Sequence, residues 1–140
     1  MKKRIAKLLP PAVTAVNNEF PETDRPIPSE YQGYISSFGA SVMQGGLLPT
    51  LAIFHSNQQR GESSQDRRKI LSLIAHILTS NESTLPSRIK SSIRDANLFD
   101  AALDLYATDP NLRDLRTHLL DAAVAAKLAI RTFELSNNNG

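Results

Sequence analysis

Residues 112–133 read LRDLRTHLLDAAVAAKLAIRTF, and the pattern within them decides the fold class. Leu112, Leu115, Leu119, Ala122, Ala126, Ile130 and Phe133 recur every three or four positions and keep to one face of a helix. Asp109-Pro110 ahead of them supplies a capping residue followed by proline, a pair that favours a helix start. The spacing therefore predicts one long helix reaching Glu134 or Leu135, about 25 residues and roughly 37 Å at about 1.5 Å per residue. A helix with so long an apolar stripe must bury it against other elements.

Those other elements also read as helices, and no stretch sustains period-two alternation. Going backwards from the last helix, Asn97 marks a break before a short helix carrying Leu98, Phe99, Ala102, Leu103 and Tyr106. A helix starting near Pro86 carries Ile89 and Ile93, four residues apart, and Ser80 to Thr84 is a turn. Before it, Ser64 is the expected cap of a helix whose wide apolar face is Ile70, Leu71, Leu73, Ile74, Ile77 and Leu78. Asn57 to Ser64 is a polar loop around Gly61.

A helix from Leu47 to Ser56 keeps Pro49 in its first turn. The one before it begins after Pro28, with Ser29 as cap and Tyr31, Tyr34, Ile35, Phe38 and Val42 as its stripe, and Gly45-Gly46 ends it. Pro11 to Phe20 is a short helix, and Pro10-Pro11 should set Ile5, Leu8 and Leu9 apart as a separate turn. Residues 21–28, with three prolines, are expected as a surface loop. The prediction is an all-α protein: a single compact bundle of six to seven helices over residues 1–135, followed by a disordered tail at 136–140.

The chain has 140 residues, the size of one domain, and no cysteine, which excludes disulfides and cysteine-ligated metal sites. The amino terminus, MKKRIAKLL, opens like a signal peptide, but Pro10-Pro11 breaks the apolar run and Asn17-Asn18-Glu19 ends it. No stretch approaches the roughly 20 apolar residues of a membrane span. A soluble, cytoplasmic protein without a membrane partner is expected. Net charge is only +2, so phosphate binding would have to come from local patches.

Catalytic chemistry finds little support. His55, His76 and His118 stand in no recognised metal-ligand spacing, and no phosphate-binding glycine motif or nucleophile elbow is present. Asp114, His118 and Asp121 share a face of the last helix, where a small hydrolase or metal site would need partners from elsewhere; a solvated polar face is the expectation. No catalytic residue, metal ligand or cofactor is predicted.

The basic residues are more informative. Ser87, Lys90, Ser91 and Arg94 project together, opposite Ile89 and Ile93, and cations among small hydroxyls suit a phosphodiester backbone. The wet side of an amphipathic helix would look the same. Arg67, Arg68 and Lys69 open their helix where they oppose its dipole, so an anionic partner or nearby Glu62 or Asp66 should favour them. On the last helix Arg113, Arg116, Lys127 and Arg131 interleave with Leu120 and Val124, away from the core stripe. Apolar residues on a second face suit a contact with another protein or another copy, or with a neighbouring helix of the same chain.

The segment from Tyr34 to Phe54, YISSFGASVMQGGLLPTLAIF, resembles the signature of the small α-helical subunit of type III-B CRISPR effector (Cmr) complexes. Val42 takes the place of a buried aliphatic residue, Gly46-Leu47 that of a Gly-Leu pair, and Leu51-Ala52 with Phe54 that of a Leu-Ala-aromatic tract. Ile130-Arg131-Thr132-Phe133 stands where that family has an aliphatic residue, two basic residues and an aromatic. Gly39 and Gly45 replace the usual proline and asparagine, Asn57 replaces a common lysine, and Arg131 alone keeps the terminal basic pair.

The resemblance implies a non-catalytic subunit that stacks with copies of itself in a minor filament beside the other effector subunits. Such subunits help to hold the guide RNA–target RNA duplex. On the charge map, RNA contacts are expected at Arg67, Arg68, Lys69, Lys90, Arg94 and Arg131, and a subunit interface at Arg113, Arg116, Leu120, Val124 and Lys127. Replacing Lys90 and Arg94 by Glu is expected to weaken RNA retention with the fold intact. The competing reading is a helical adaptor or scaffold that binds protein only.

Overall fold

A computed structural model describes residues 3–56, 67–110, 112–133 and 135–136. Among them are seven α-helices: α1 (Lys3–Glu19), α2 (Glu30–Gly45), α3 (Leu47–Ser56), α4 (Arg68–Leu78), α5 (Ser87–Asp95), α6 (Leu98–Thr108) and α7 (Arg113–Ile130). The all-α bundle is the fold expected from the sequence. Two short strands, β1 (Ile27–Pro28) and β2 (Leu135–Ser136), pair in parallel. No helix among the described residues is long and apolar enough to cross a membrane.

The last helix is the centre of the bundle and packs on α1, α2 and α4. Its burial is wider than the single predicted stripe, because Ala123, Ala125 and Ala129 are buried along with Leu115, Leu119, Ala122, Ala126 and Ile130. Alanines on several faces let neighbouring helices approach closely from more than one side. The helix is shorter than its sequence predicts, with 18 residues. Leu112 is buried in a left-handed conformation, φ 52°, so the chain turns at an anchored side chain and Asp109-Pro110 lies in the junction. At the other end Thr132 and Phe133 turn back on Ala129 and Ile130 through 3.0 Å backbone bonds.

The first helix corrects another expectation, since it runs through Pro10 and Pro11 without a break. Each proline removes a backbone donor at a cost of about 3 kcal/mol or more. The carbonyls left without those donors belong to Ala6 and Lys7, which are exposed and open to water. Burial of Ile5, Leu8, Ala12, Ala15 and Val16 on α7 and α4 outweighs the loss.

Residues 21–28 are likewise more than a surface loop. A 3-10 turn at Glu22–Asp24 leads into β1, where Ile27 is fully buried and stands in register with Leu135. Pro28 stands opposite Ser136, the first residue of the predicted tail. Residues 137–140, the polar loop at 57–64, the Ser64 cap and the Glu62 and Asp66 partners lie outside the described residues.

The boundary between α2 and α3 is as predicted. Gly46 has φ 99°, a conformation that glycine adopts without steric cost, and its N–H bonds the Val42 carbonyl at 3.1 Å. Thr50 then closes the next turn, its hydroxyl donating to the Gly46 carbonyl at 2.9 Å. Val42, Leu47, Leu51 and Phe54, four of the residues that carry the family resemblance, are buried, and Phe54 meets Phe38 edge to face at 5.2 Å. Ser29 precedes α2 as expected, but its side chain makes no capping bond.

Candidate functional site

Most of the expected RNA contacts belong to α4 and α5, and several have duties within the fold. The Lys90 Nζ donates to the Ser80 carbonyl at 2.8 Å, and an Arg94 guanidinium nitrogen donates to the Thr79 carbonyl at 2.8 Å. Thr79 is the C-terminal cap of α4, where a helix presents partial negative charge, and Ser80 follows it in the turn, its carbonyl also accepting from the Ser83 N–H at 3.1 Å. Lys69 does the same for α1, donating to the Glu19 carbonyl at 3.0 Å with its ammonium 4.9 Å from the Phe20 ring centre. Burial pushes the half-buried Glu19 carboxyl above its ordinary value, and the charges of Lys69 and His76 partly offset that rise.

Arg67 stacks over Tyr34 at 5.0 Å and reaches Phe54 at 5.9 Å, so part of its attraction is to ring faces. Arg68 and Arg94 line one cleft of about 410 Å³ between α4 and α5, together with His55 from the end of α3 and His76 from α4. Leu71, Ala75, Ile93 and Leu98 supply its apolar surface, and Ser72, Thr79 and Asn97 its neutral polar groups. No carboxylate is among the described residues that line it. The His55 ring lies 5.1 Å from that of Phe99 at an interplanar angle of 33°, so one lining ring is backed by another.

The sequence does not place His55 and His76 here, because neither stands in a recognised spacing with Arg68 or Arg94. One signal was available: Arg68, Ser72, Ala75 and Thr79 recur at helical intervals and mark one face of α4. Arg131, the remaining expected contact, is exposed at the end of α7 and does not line this cleft.

The interface residues fall along α7. Leu120, Val124 and Lys127 line a groove of about 300 Å³ against Ser36, Gly39 and Met43 of α2. Met43 is 71% and Val124 44% exposed, so α2 covers this second apolar face only in part. Arg116 lines a neighbouring recess with Leu48, Pro49 and Tyr106, and Arg113 is exposed in the first turn. Ile53, Leu103 and Tyr106 add exposed apolar surface on α3 and α6.

Of the Asp114, His118 and Asp121 face, only Asp114, with its side chain 71% exposed, is solvated as expected. Asp121 is buried and ion-paired with Arg4 of α1. His118 Nδ1 lies 2.9 Å from the Asp114 carbonyl, which can only accept, so Nδ1 carries the hydrogen. In the neutral ring Nε2 then accepts from the Thr84 hydroxyl, 2.8 Å away. The cluster ties α7 to α1 and to the turn before α5. Among the described residues no group of three or more His, Asp or Glu side chains is placed to hold a metal ion.

A family model described as CRISPR-associated protein (Cas_Cmr5) matches residues 1–127. No curated protein and no solved structure matches the chain. The match takes in every helix except the last few residues of α7, including the α2–α3 junction that carries the sequence resemblance. The chain belongs to the Cas_Cmr5 family, the small subunits of type III-B CRISPR effector (Cmr) complexes.

Proposed function

We propose that this subunit of a CRISPR-associated Cmr complex is non-catalytic, acts in the cytoplasm in antiviral defence, and helps to hold the guide RNA–target RNA duplex while stacking with copies of itself. Family membership carries the reading of a complex subunit. The observation that supports the finer roles is the presence of two unlike surfaces built from different helices. One is the arginine-lined cleft of α4 and α5, and the other is the partly covered apolar groove of α2 and α7.

A protein with net charge +2 is a weak polyelectrolyte ligand by itself. Repetition along a filament multiplies modest phosphate contacts, because each added copy raises the effective concentration of the next. Arg67, Arg68 and Arg94, with Lys69 and Lys90 behind them, form the proposed RNA side, and Arg131 a separate contact. Leu120, Val124 and Lys127, flanked by Arg113 and Arg116, form the proposed stacking side.

The test is gentle purification of the tagged protein from its native host, followed by sequencing of the RNA that accompanies it. Short RNAs with a shared repeat-derived 5′ end, together with several partner proteins, are expected. Recovery of those partners without RNA even at low salt would overturn the RNA-holding role and return the protein-only adaptor reading.

A further inference from the structure

We propose that the exposed face shared by α3 and α6 is the surface that seats in the α2–α7 groove of the next copy, so that copies join by unlike faces and the stack stays open at both ends. The proposal rests on the stacking reading above and assigns the second of the two surfaces that an open stack needs.

Every copy in such a stack must carry two complementary surfaces, because a face that meets only itself closes into a pair. Charge sorts the candidates. Between Tyr31 and Ser56, which takes in α3 and all of α2 but its first residue, the chain has no Asp, Glu, Lys or Arg. Lys127 is the charged residue among the described lining of the α2–α7 groove, and Arg113 and Arg116 continue its side of α7. Residues 95–111, which include α6, have the opposite character: four aspartates and no Lys, Arg or His. Each face therefore joins an uncharged helix to a charged one, and the two charges are of opposite sign.

Apolar surface accompanies the charge on both sides. Leu103 and Tyr106 lie three positions apart on α6 and are 45% and 46% exposed. Tyr106 shares a recess with Pro49 of α3, and Ile53, one turn beyond Pro49, is 62% exposed. The groove has room for such side chains, since a Cβ placed on Gly39 at its α2 wall meets no atom within 4 Å. Among the described residues neither Lys127 nor Asp104 is in an ion pair, although Asp104 borders a recess with Arg88 of α5.

Two α2–α7 faces set against each other would bring cations to cations, and RNA on the α3–α6 face would meet aspartates. The two faces adjoin at the recess that Tyr106 and Arg116 share, so a closed pair exchanging both contacts is the competing arrangement.

The chain has no cysteine, so engineered thiols report contacts without background. Leu103→Cys, Val124→Cys and the double variant, all at exposed positions, are treated with a short bismaleimide, and the two single variants also as an equimolar mixture. The mixture is expected to give a cross-linked dimer that neither single variant gives alone, and the double variant a ladder beyond dimer. Asp104→Lys and Lys127→Asp should each weaken association about tenfold in sedimentation. Mixing these two should restore it, because every contact then pairs unlike charges. Where the free protein is monomeric, the same thiols are cross-linked in the purified complex. Circular dichroism checks folding, and the cysteine variants decide if a charge variant does not fold.

Absence of the mixed dimer, dimers from either single variant, a double variant that stops at dimer, or no gain on mixing the charge variants would overturn this pairing of faces and leave self-association standing. A wild-type protein that is monomeric at every concentration and present as one copy in the purified complex would overturn both.

Discussion

Arg4 near the start of α1 is ion-paired with Asp121 in the middle of α7, bridging 117 positions of sequence. The Asp121 side chain is 13% exposed and that of Arg4 55%, so the acid depends on its partner more than the base does. Arg4→Ala should lower stability by about 1–3 kcal/mol, toward the smaller figure because the arginine is largely solvated. Adding Asp121→Ala should recover part of that loss by removing the stranded carboxylate. Urea denaturation of the two variants checks this, and a double variant less stable than Arg4→Ala would rule out the pairing account.

Lys90 and Arg94 complete the end of α4, which alters what their charge reversal should do. With both changed to Glu, two donors are lost and two carboxylates face carbonyl oxygens. Stability should fall by roughly 1–3 kcal/mol. Lys90→Arg keeps a donor and should stay near wild type. Thermal denaturation distinguishes the pair, and a double-Glu variant as stable as the parent would show that these caps contribute nothing.

Leu51 is fully buried at the α2–α3 junction, within the stretch that carries the family resemblance. Leu51→Ala should cost about 2–5 kcal/mol, the sum of lost transfer energy and an unfilled cavity. Leu51→Met should cost less than about 1.5 kcal/mol, since it conserves volume. Chemical denaturation of both variants measures the ratio, and equal losses would point to chain shape over volume as the cause.

Glu19 gives the fold a defined pH dependence. Its carboxyl is raised above 4.5 by burial, so the stability it contributes is fully present below 4.5 and is lost as pH rises through the raised value. Glu19→Gln should therefore raise the melting temperature at pH 7 by a few degrees at most. Below pH 4.5 the two proteins should converge. A Gln advantage that grows toward acid pH would contradict desolvation as the cause.

Legibility followed locality. The α2–α3 boundary could be read because Gly46 carries its backbone preference wherever it stands, and the apolar face of α4 because helical spacing is written along it. Continuity through Pro10-Pro11 could not, since the compensating burial comes from α4 and α7. Ile27 looked like a loop residue because its strand partner, Leu135, comes near the other end of the sequence. The cleft is half visible: Arg68 and Arg94 stand out by their charge, whereas the cleft they line with His55 and His76 depends on how three helices meet. The carbonyls that hold Lys90 and Arg94 also belong to another element, so projection around one helix could not reveal them.

The lysine and arginine contacts at helix ends have a consequence for recognition. A surface Lys or Arg carries about 2 kcal/mol of rotamer entropy, part of which is normally surrendered when a ligand immobilises it. Lys69, Lys90 and Arg94 have already surrendered part of theirs in the folded chain, each tied to a backbone carbonyl outside its own helix. An anion that meets them encounters positive charge fixed in direction before it arrives, and selectivity for shape comes with it.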